Sequence, residues 1–128
     1  MTLVYVVMML AVIQLFAFGM AVGGARGRYK IPAPATTGNP DFERYYRVHM
    51  NTLEQMVVFL PSLWTFATFV SANWAAGLGL VYVIGRIVYF IGYTKAANKR
   101  GIGFGISGLP TLILMIGGLI GAVMAALK

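Results

Sequence analysis

Two apolar stretches of this chain carry residues that apolar helices ordinarily exclude. In Arg47-Val48-His49-Met50-Asn51-Thr52-Leu53-Glu54 the residues Arg47, Asn51 and Glu54 recur at i, i+4 and i+7. In Arg86-Ile87-Val88-Tyr89-Phe90-Ile91-Gly92-Tyr93 the residues Arg86, Tyr89 and Tyr93 recur at i, i+3 and i+7. Either spacing places its polar set on one face of a helix. A charge at bilayer depth costs at least ~2.5 kcal/mol, so such stripes belong against protein, water or a ligand and not against lipid. Their chemistry is that of peptide recognition. A guanidinium suits a bidentate carboxylate contact, an amide suits a peptide group, and a carboxylate suits an ammonium or the second guanidinium. Arg100, at i+14 from Arg86, falls close to the same face if the helix continues, and would stand over whatever the stripe holds.

The elements that position these stripes are membrane helices. Of 128 residues, 59% are hydrophobic and only 10% are charged. Charged residues are absent from Met1 to Ala25, from Gln55 to Gly85 and from Gly101 to Leu127. A crossing needs about 20 apolar residues, and the second gap divides at Ser71-Ala72-Asn73-Trp74. The expectation is an all-α integral membrane protein: one domain over residues 1–128, with helices near 3–24, 40–71, 74–97 and 104–127. The first segment lacks a basic start and stays apolar to Gly24, so it reads as a retained helix and not a cleaved leader.

The net charge of +7 follows the loops and is not a nucleic-acid signal. Arg26, Arg28, Lys30, Arg44 and Arg47 flank the first loop, and Lys95, Lys99 and Arg100 flank the third. The positive-inside bias places both loops in the cytoplasm and both termini on the opposite side. With no cysteine and the single His49, the chain has no thiolate and no imidazole cluster for a metal. Any sulfur chemistry must arrive with the substrate.

Local signals set the boundaries. Gly23-Gly24 reads as a helix stop. Asn39 reads as an N-cap, followed by Pro40 and by Asp41 and Glu43 in the first turn. Pro61 is expected to kink the second helix. The cluster Gly101-Ile102-Gly103-Phe104-Gly105 reads as a turn, because no strand precedes it and a phosphate loop needs one. Gly19 with Gly23, and Gly117 with Gly121, mark faces for close helix contact.

The motif Arg47-x-x-x-Asn51-x-x-Glu54, preceded by Thr36-Thr37-Gly38-x-Pro40-x-Phe42-Glu43-Arg44-x-Tyr46, resembles the membrane-associated proteins in eicosanoid and glutathione metabolism (MAPEG). So do Arg86-x-x-Tyr89-Phe90-x-Gly92-Tyr93 and the basic pair Lys99-Arg100. The resemblance covers about Arg26 to Arg100. It implies a homotrimer of four-helix protomers with three glutathione sites between neighbouring subunits, open toward the cytoplasm. It assigns glutathione binding to Arg26, Arg47, His49, Asn51, Glu54, Arg86, Tyr89 and Tyr93, and stabilisation of the thiolate to Arg100. The implied activity joins that sulfur to a lipophilic electrophile, with reduction of lipid hydroperoxides as a possible companion.

One branch of the family has glutamine at the position of His49, tyrosine at Gln55 and a second arginine at Gly27. The first change keeps a hydrogen-bonding group, the second loses a phenol and the third removes a cation. Plainer readings stand beside these assignments: a buried Glu54–Arg86 ion pair that fixes packing, Tyr89 and Tyr93 as interface aromatics, and Arg100 as a topology charge. Two other function classes share parts of the pattern, a non-catalytic lipid-binding relative and a small proton-coupled drug transporter. Retention of Arg100 and both tyrosines opposes the first. The position of Glu54 on the second helix, among arginines, opposes the other.

Overall fold

A computed structural model describes all 128 residues. Four long helices follow one another: α1 (Thr2–Tyr29), α2 (Pro40–Phe69), α3 (Ala72–Lys95) and α4 (Gly101–Ala126), with one 3-10 turn at Ala97–Lys99 between the last two. α1, α3 and α4 are each long and apolar enough to cross a membrane. α2 is as long, but Asp41, Glu43, Arg44, Arg47 and Glu54 occupy its first half.

The start of α2 is as its sequence dictates. Asn39 is extended, and its Oδ1 accepts hydrogen bonds from the backbone N–H groups of Asp41 at 2.8 Å and Phe42 at 3.1 Å. Asp41 pairs with Arg44, and Arg44 Nε also donates to the carbonyl of Thr94 at 3.2 Å, tying the start of α2 to the end of α3. At the opposite end only Val70 and Ser71 separate α2 from α3, and Ser71 Oγ caps α3 by accepting from Trp74 N–H at 3.2 Å. The third helix thus begins at Ala72, two residues before the expected Trp74.

Two expected boundaries are corrected. α1 does not stop at Gly23-Gly24. It runs to Tyr29 and closes at Lys30, whose φ of 58° and ψ of 46° are left-handed, with its N–H bonded to the carbonyl of Arg26. Glycine within a helix costs only about 1 kcal/mol relative to alanine, which a long helix absorbs. The Gly101–Gly105 cluster is not a turn but the first turns of α4. Its glycines permit contact: a Cβ on Gly103 would collide with the backbone of Tyr89, and one on Gly85 would lie 2.6 Å from the backbone nitrogen of Ser107. α3 and α4 therefore approach at backbone distance.

α2 and α3 form the centre, with α1 packed on one side of them and α4 on the other. The main core joins Val4, Val7 and Ala11 of α1 to Phe59, Leu63 and Phe66 of α2, Ala75, Tyr82 and Val83 of α3, and Leu114 of α4. The Phe59 and Tyr82 rings stack with centroids 3.8 Å apart. Gln14 is buried and donates to the carbonyl of Val83 at 2.8 Å, fastening α1 to α3. Of the small-residue faces, Gly117 meets Phe66, Gly121 meets Phe69 and Val70, and Gly19 meets His49, whereas Gly23 has no neighbour within 4 Å. Phe16 and Met20 on α1 and Ile102, Leu109, Leu119 and Met124 on α4 are exposed. An outer surface that apolar suits lipid or a further helix better than water.

Candidate functional site

The stripes of α2 and α3 face one another across a cavity of about 380 Å³, within the ~300–1,000 Å³ typical of small-molecule sites. Arg47, Asn51, Glu54 and Gln55 of α2 line it, with Arg86, Tyr89 and Tyr93 of α3 and Arg100 and Phe104 at the start of α4. Seven residues singled out by spacing or resemblance are thus brought together. Arg26 and His49 lie outside it. Arg26 donates to the carbonyl of Ala35 at 2.7 Å and sits 5.0 Å above the Phe42 ring, bracing the first loop. His49 borders a separate apolar groove with Phe16, Gly19 and Met20 of α1.

Arg86 is the anchor of the site and is only 1% exposed. Its Nε and Nη2 both donate to Thr52 Oγ1, at 3.3 and 3.0 Å, and its Nη1 donates to Ser107 Oγ at 3.1 Å. These partners are neutral hydroxyls. The plainer reading of a Glu54–Arg86 ion pair is not met, and the structure's one ion pair joins Arg44 and Asp41. Glu54 is exposed to the cavity instead. A buried cation without a counter-charge is costly, and an anion entering the cavity relieves that cost.

The phenols link this anchor to Arg100. The Arg86 guanidinium lies 4.0 Å from the centroid of the Tyr89 ring, Tyr89 and Tyr93 meet edge to face at 5.4 Å, and Arg100 lies 5.7 Å from the Tyr93 centroid. Asn51 Nδ2 donates to Tyr89 Oη at 2.8 Å, which fixes that phenol across the α2–α3 seam. Arg100 is exposed at the cavity mouth. It is also the residue that precedes the first turn of α4, and its Nη1 donates to the carbonyl of Ala97 at 3.4 Å.

Spacing alone misses four residues here. Thr52 and Ser107 hold Arg86, and Gln55 and Phe104 complete the wall. Ser107 was visible as one of the few hydroxyls in the otherwise apolar fourth helix, and Thr52 as a polar neighbour of Asn51 that does not share its face.

Comparison with known proteins agrees with the motifs. A model of the MAPEG family matches residues 4–120. Human microsomal glutathione S-transferase 2 is 41% identical over 114 residues, covering 88% of this chain and 78% of that protein. Bovine leukotriene C4 synthase is 39% identical over 94 residues, covering 73% of this chain and 63% of its own length. An uncharacterized protein of Synechocystis is 52% identical over 99 residues, covering 77% and 72%. With a family match over nearly its whole length and the α2 and α3 stripes closed around one cationic cavity, the chain belongs to the MAPEG family of membrane proteins.

Proposed function

We propose that the cavity binds glutathione, ionises its thiol and conjugates the sulfur to a lipophilic electrophile. The observation that carries this reading is charge. Three guanidiniums, of Arg47, Arg86 and Arg100, share the cavity with one carboxylate, Glu54, a surplus of two positive charges. Glutathione as the thiolate has two carboxylates, one ammonium and one sulfur anion, a net charge of two negative. Glu54 takes the ammonium, Arg47 and Arg86 take the carboxylates, and Asn51 with the phenols of Tyr89 and Tyr93 takes the peptide groups. Arg100, at the mouth, is left for the sulfur. A free thiol with a pKa of about 8.5 is only a few per cent ionised at pH 7, and each unit of lowering amounts to about 1.4 kcal/mol. A permanently charged guanidinium supplies that in part.

The reading extends to assembly and topology. All four helices span the membrane, α2 burying its polar face in the assembly. The protomer forms a homotrimer with its three sites at subunit boundaries, Arg26 and His49 reaching the cavity of a neighbour. The loops at 30–39 and 96–100 face the cytoplasm and the termini the other side. The same thiolate attacks lipid hydroperoxides as a secondary reaction. Residues 1–128 act as one functional unit.

Titration of detergent-purified protein with glutathione, followed by ultraviolet thiolate absorbance, tests the proposal. A saturable signal is expected, lost in Arg100→Ala with binding retained and shifted to weaker affinity in Arg47→Ala. No saturable binding by the parent protein would overturn it.

A further inference from the structure

The cavity has a neighbour beyond its polar wall. Gln55 and Phe104 line it and also line a second, open groove of about 450 Å³ that follows α4 past Gly108, Leu112 and Met115. The two spaces adjoin at this pair. The groove is apolar apart from Gln55 and Thr111, and the Thr111 hydroxyl is committed, donating to the carbonyl of Ser107 at 3.0 Å. The half-buried Gln55 amide is thus the free hydrogen-bond donor at the junction between the thiol site and the groove.

We infer that Gln55 orients the electrophile and that the electrophile is an α,β-unsaturated carbonyl compound with an apolar tail. This rests on the reading of the cavity as a glutathione site. The tail lies along α4 in the groove, where Gly108 leaves width and Leu112 and Met115 supply apolar walls. The head stands at Gln55, within the compass of a sulfur held at Arg100. The thiolate forms a bond to the β-carbon, the carbon–carbon π bond breaks, and its electron pair moves to the carbonyl oxygen as an enolate. The enolate takes one proton from water at the α-carbon, replacing the one the thiol released on ionisation. No oxidant or reductant is required. A primary amide donates a hydrogen bond but no proton. It stabilises a delocalised enolate, whereas the alkoxide from an epoxide needs an acid as the ring opens. An amide left without an acceptor also discriminates against electrophiles that carry none.

The test compares three chain-matched electrophiles, trans-2-nonenal, 1-iodononane and 2,3-epoxynonane, with the purified protein in detergent and saturating glutathione. The variants are Gln55→Met and Gln55→Leu, two apolar replacements of similar size at a half-buried position. For nonenal, kcat/KM is expected to fall about tenfold or more in both variants, mostly in kcat, the scale of a lost oxyanion donor. The ratio of nonenal to iodononane kcat/KM, each taken at saturating glutathione, is expected to fall by that same factor, whatever common change the loss of a wall residue brings to both electrophiles. An equal fall for nonenal and iodononane, or for nonenal and the epoxide, would overturn the assignment, as would an unchanged nonenal rate. A wild-type protein that ionises glutathione yet leaves nonenal untouched would sink this inference alone. One that does not ionise glutathione would sink the parent reading with it.

Discussion

Thr52 Oγ1 accepts two hydrogen bonds from one guanidinium, from Arg86 Nε at 3.3 Å and Nη2 at 3.0 Å. A hydroxyl on α2 therefore aims a buried cation of α3 into the cavity. Thr52→Val keeps the shape and removes the acceptor, leaving donors of a charged group unpaired, at a cost of about 1–3 kcal/mol. Thermal unfolding in detergent should show that loss, together with weaker glutathione binding. Ser107→Ala removes a single bond at 3.1 Å and should cost less on both readouts. Equal effects from the two variants would contradict the bidentate role of Thr52.

Arg86→Met separates a ligand anchor from a residue that serves the packing of α2, α3 and α4. Replacing a buried charge that has hydroxyl and ring partners but no counter-charge with an apolar side chain of similar length is expected to be neutral or stabilising. The ligand-free variant should therefore unfold no earlier than the parent, while glutathione affinity drops about 30-fold or more, the scale of lost charge-assisted hydrogen bonds. A large loss of ligand-free stability would mean that Arg86 serves the fold first.

The sequence made the start of α2 and the membership of the cavity legible for the same reason. Asn39, Pro40 and the two stripes are relations within one helix, and helical periodicity reports those directly. Arg86 with Ser107, and Gly103 with Tyr89, are relations between helices. They depend on where α3 crosses α4, and no periodicity within either segment encodes that. The glycine cluster misled for a related reason. Glycine is common in turns and also at close helix crossings, and only the backbone of Tyr89, lying where a Cβ of Gly103 would stand, distinguishes the two. The structure likewise puts Arg26 on helix α1 rather than in a loop, because the double glycine did not end that helix.

The two glycines flanking Phe104 should therefore respond oppositely to alanine. Gly103→Ala forces a Cβ into the backbone of Tyr89, so α4 must move away from the site. Overpacking of this kind costs about 1–3 kcal/mol or more. Gly105 has no neighbour within 4 Å of its would-be Cβ. Gly105→Ala should be tolerated and stabilise the helix by about 0.5–1 kcal/mol. Thermal unfolding of both variants in one detergent decides the matter, and a tolerated Gly103→Ala would show that the α3–α4 contact is looser than drawn.

The pH dependence of conjugation should report Arg100. A positive charge at the sulfur lowers the thiol pKa below its free value of about 8.5, so the bound thiol stays reactive as pH falls toward neutrality. In Arg100→Ala the pKa returns toward the free value. The rate should then rise with pH through a midpoint shifted upward, with the deficit largest near pH 6–7 and shrinking above about pH 9. Arg100→Lys keeps a charge and should fall between the two. A deficit constant across pH would assign Arg100 to binding instead.

Arg26 and His49 lie outside the cavity of their own chain, and the proposed trimer makes the source of their contribution testable by mixing subunits. If Arg26 acts in a neighbour's site, Arg26→Ala and Arg100→Ala are each impaired near neutral pH but damage different halves of the same interface. Random co-assembly in equal amounts then regenerates intact sites wherever an Arg100-bearing subunit meets an Arg26-bearing neighbour, about one site in four in a cyclic assembly. Co-expressed subunits with different tags, purified through both tags so that only mixed assemblies remain, should recover about one site in three if the assembly is a trimer. If the two residues serve one site within a single chain, every site in the mixture lacks one of them and activity stays at the level of the separate variants. Recovery would therefore establish both the oligomer and the direction in which Arg26, at the end of α1, reaches.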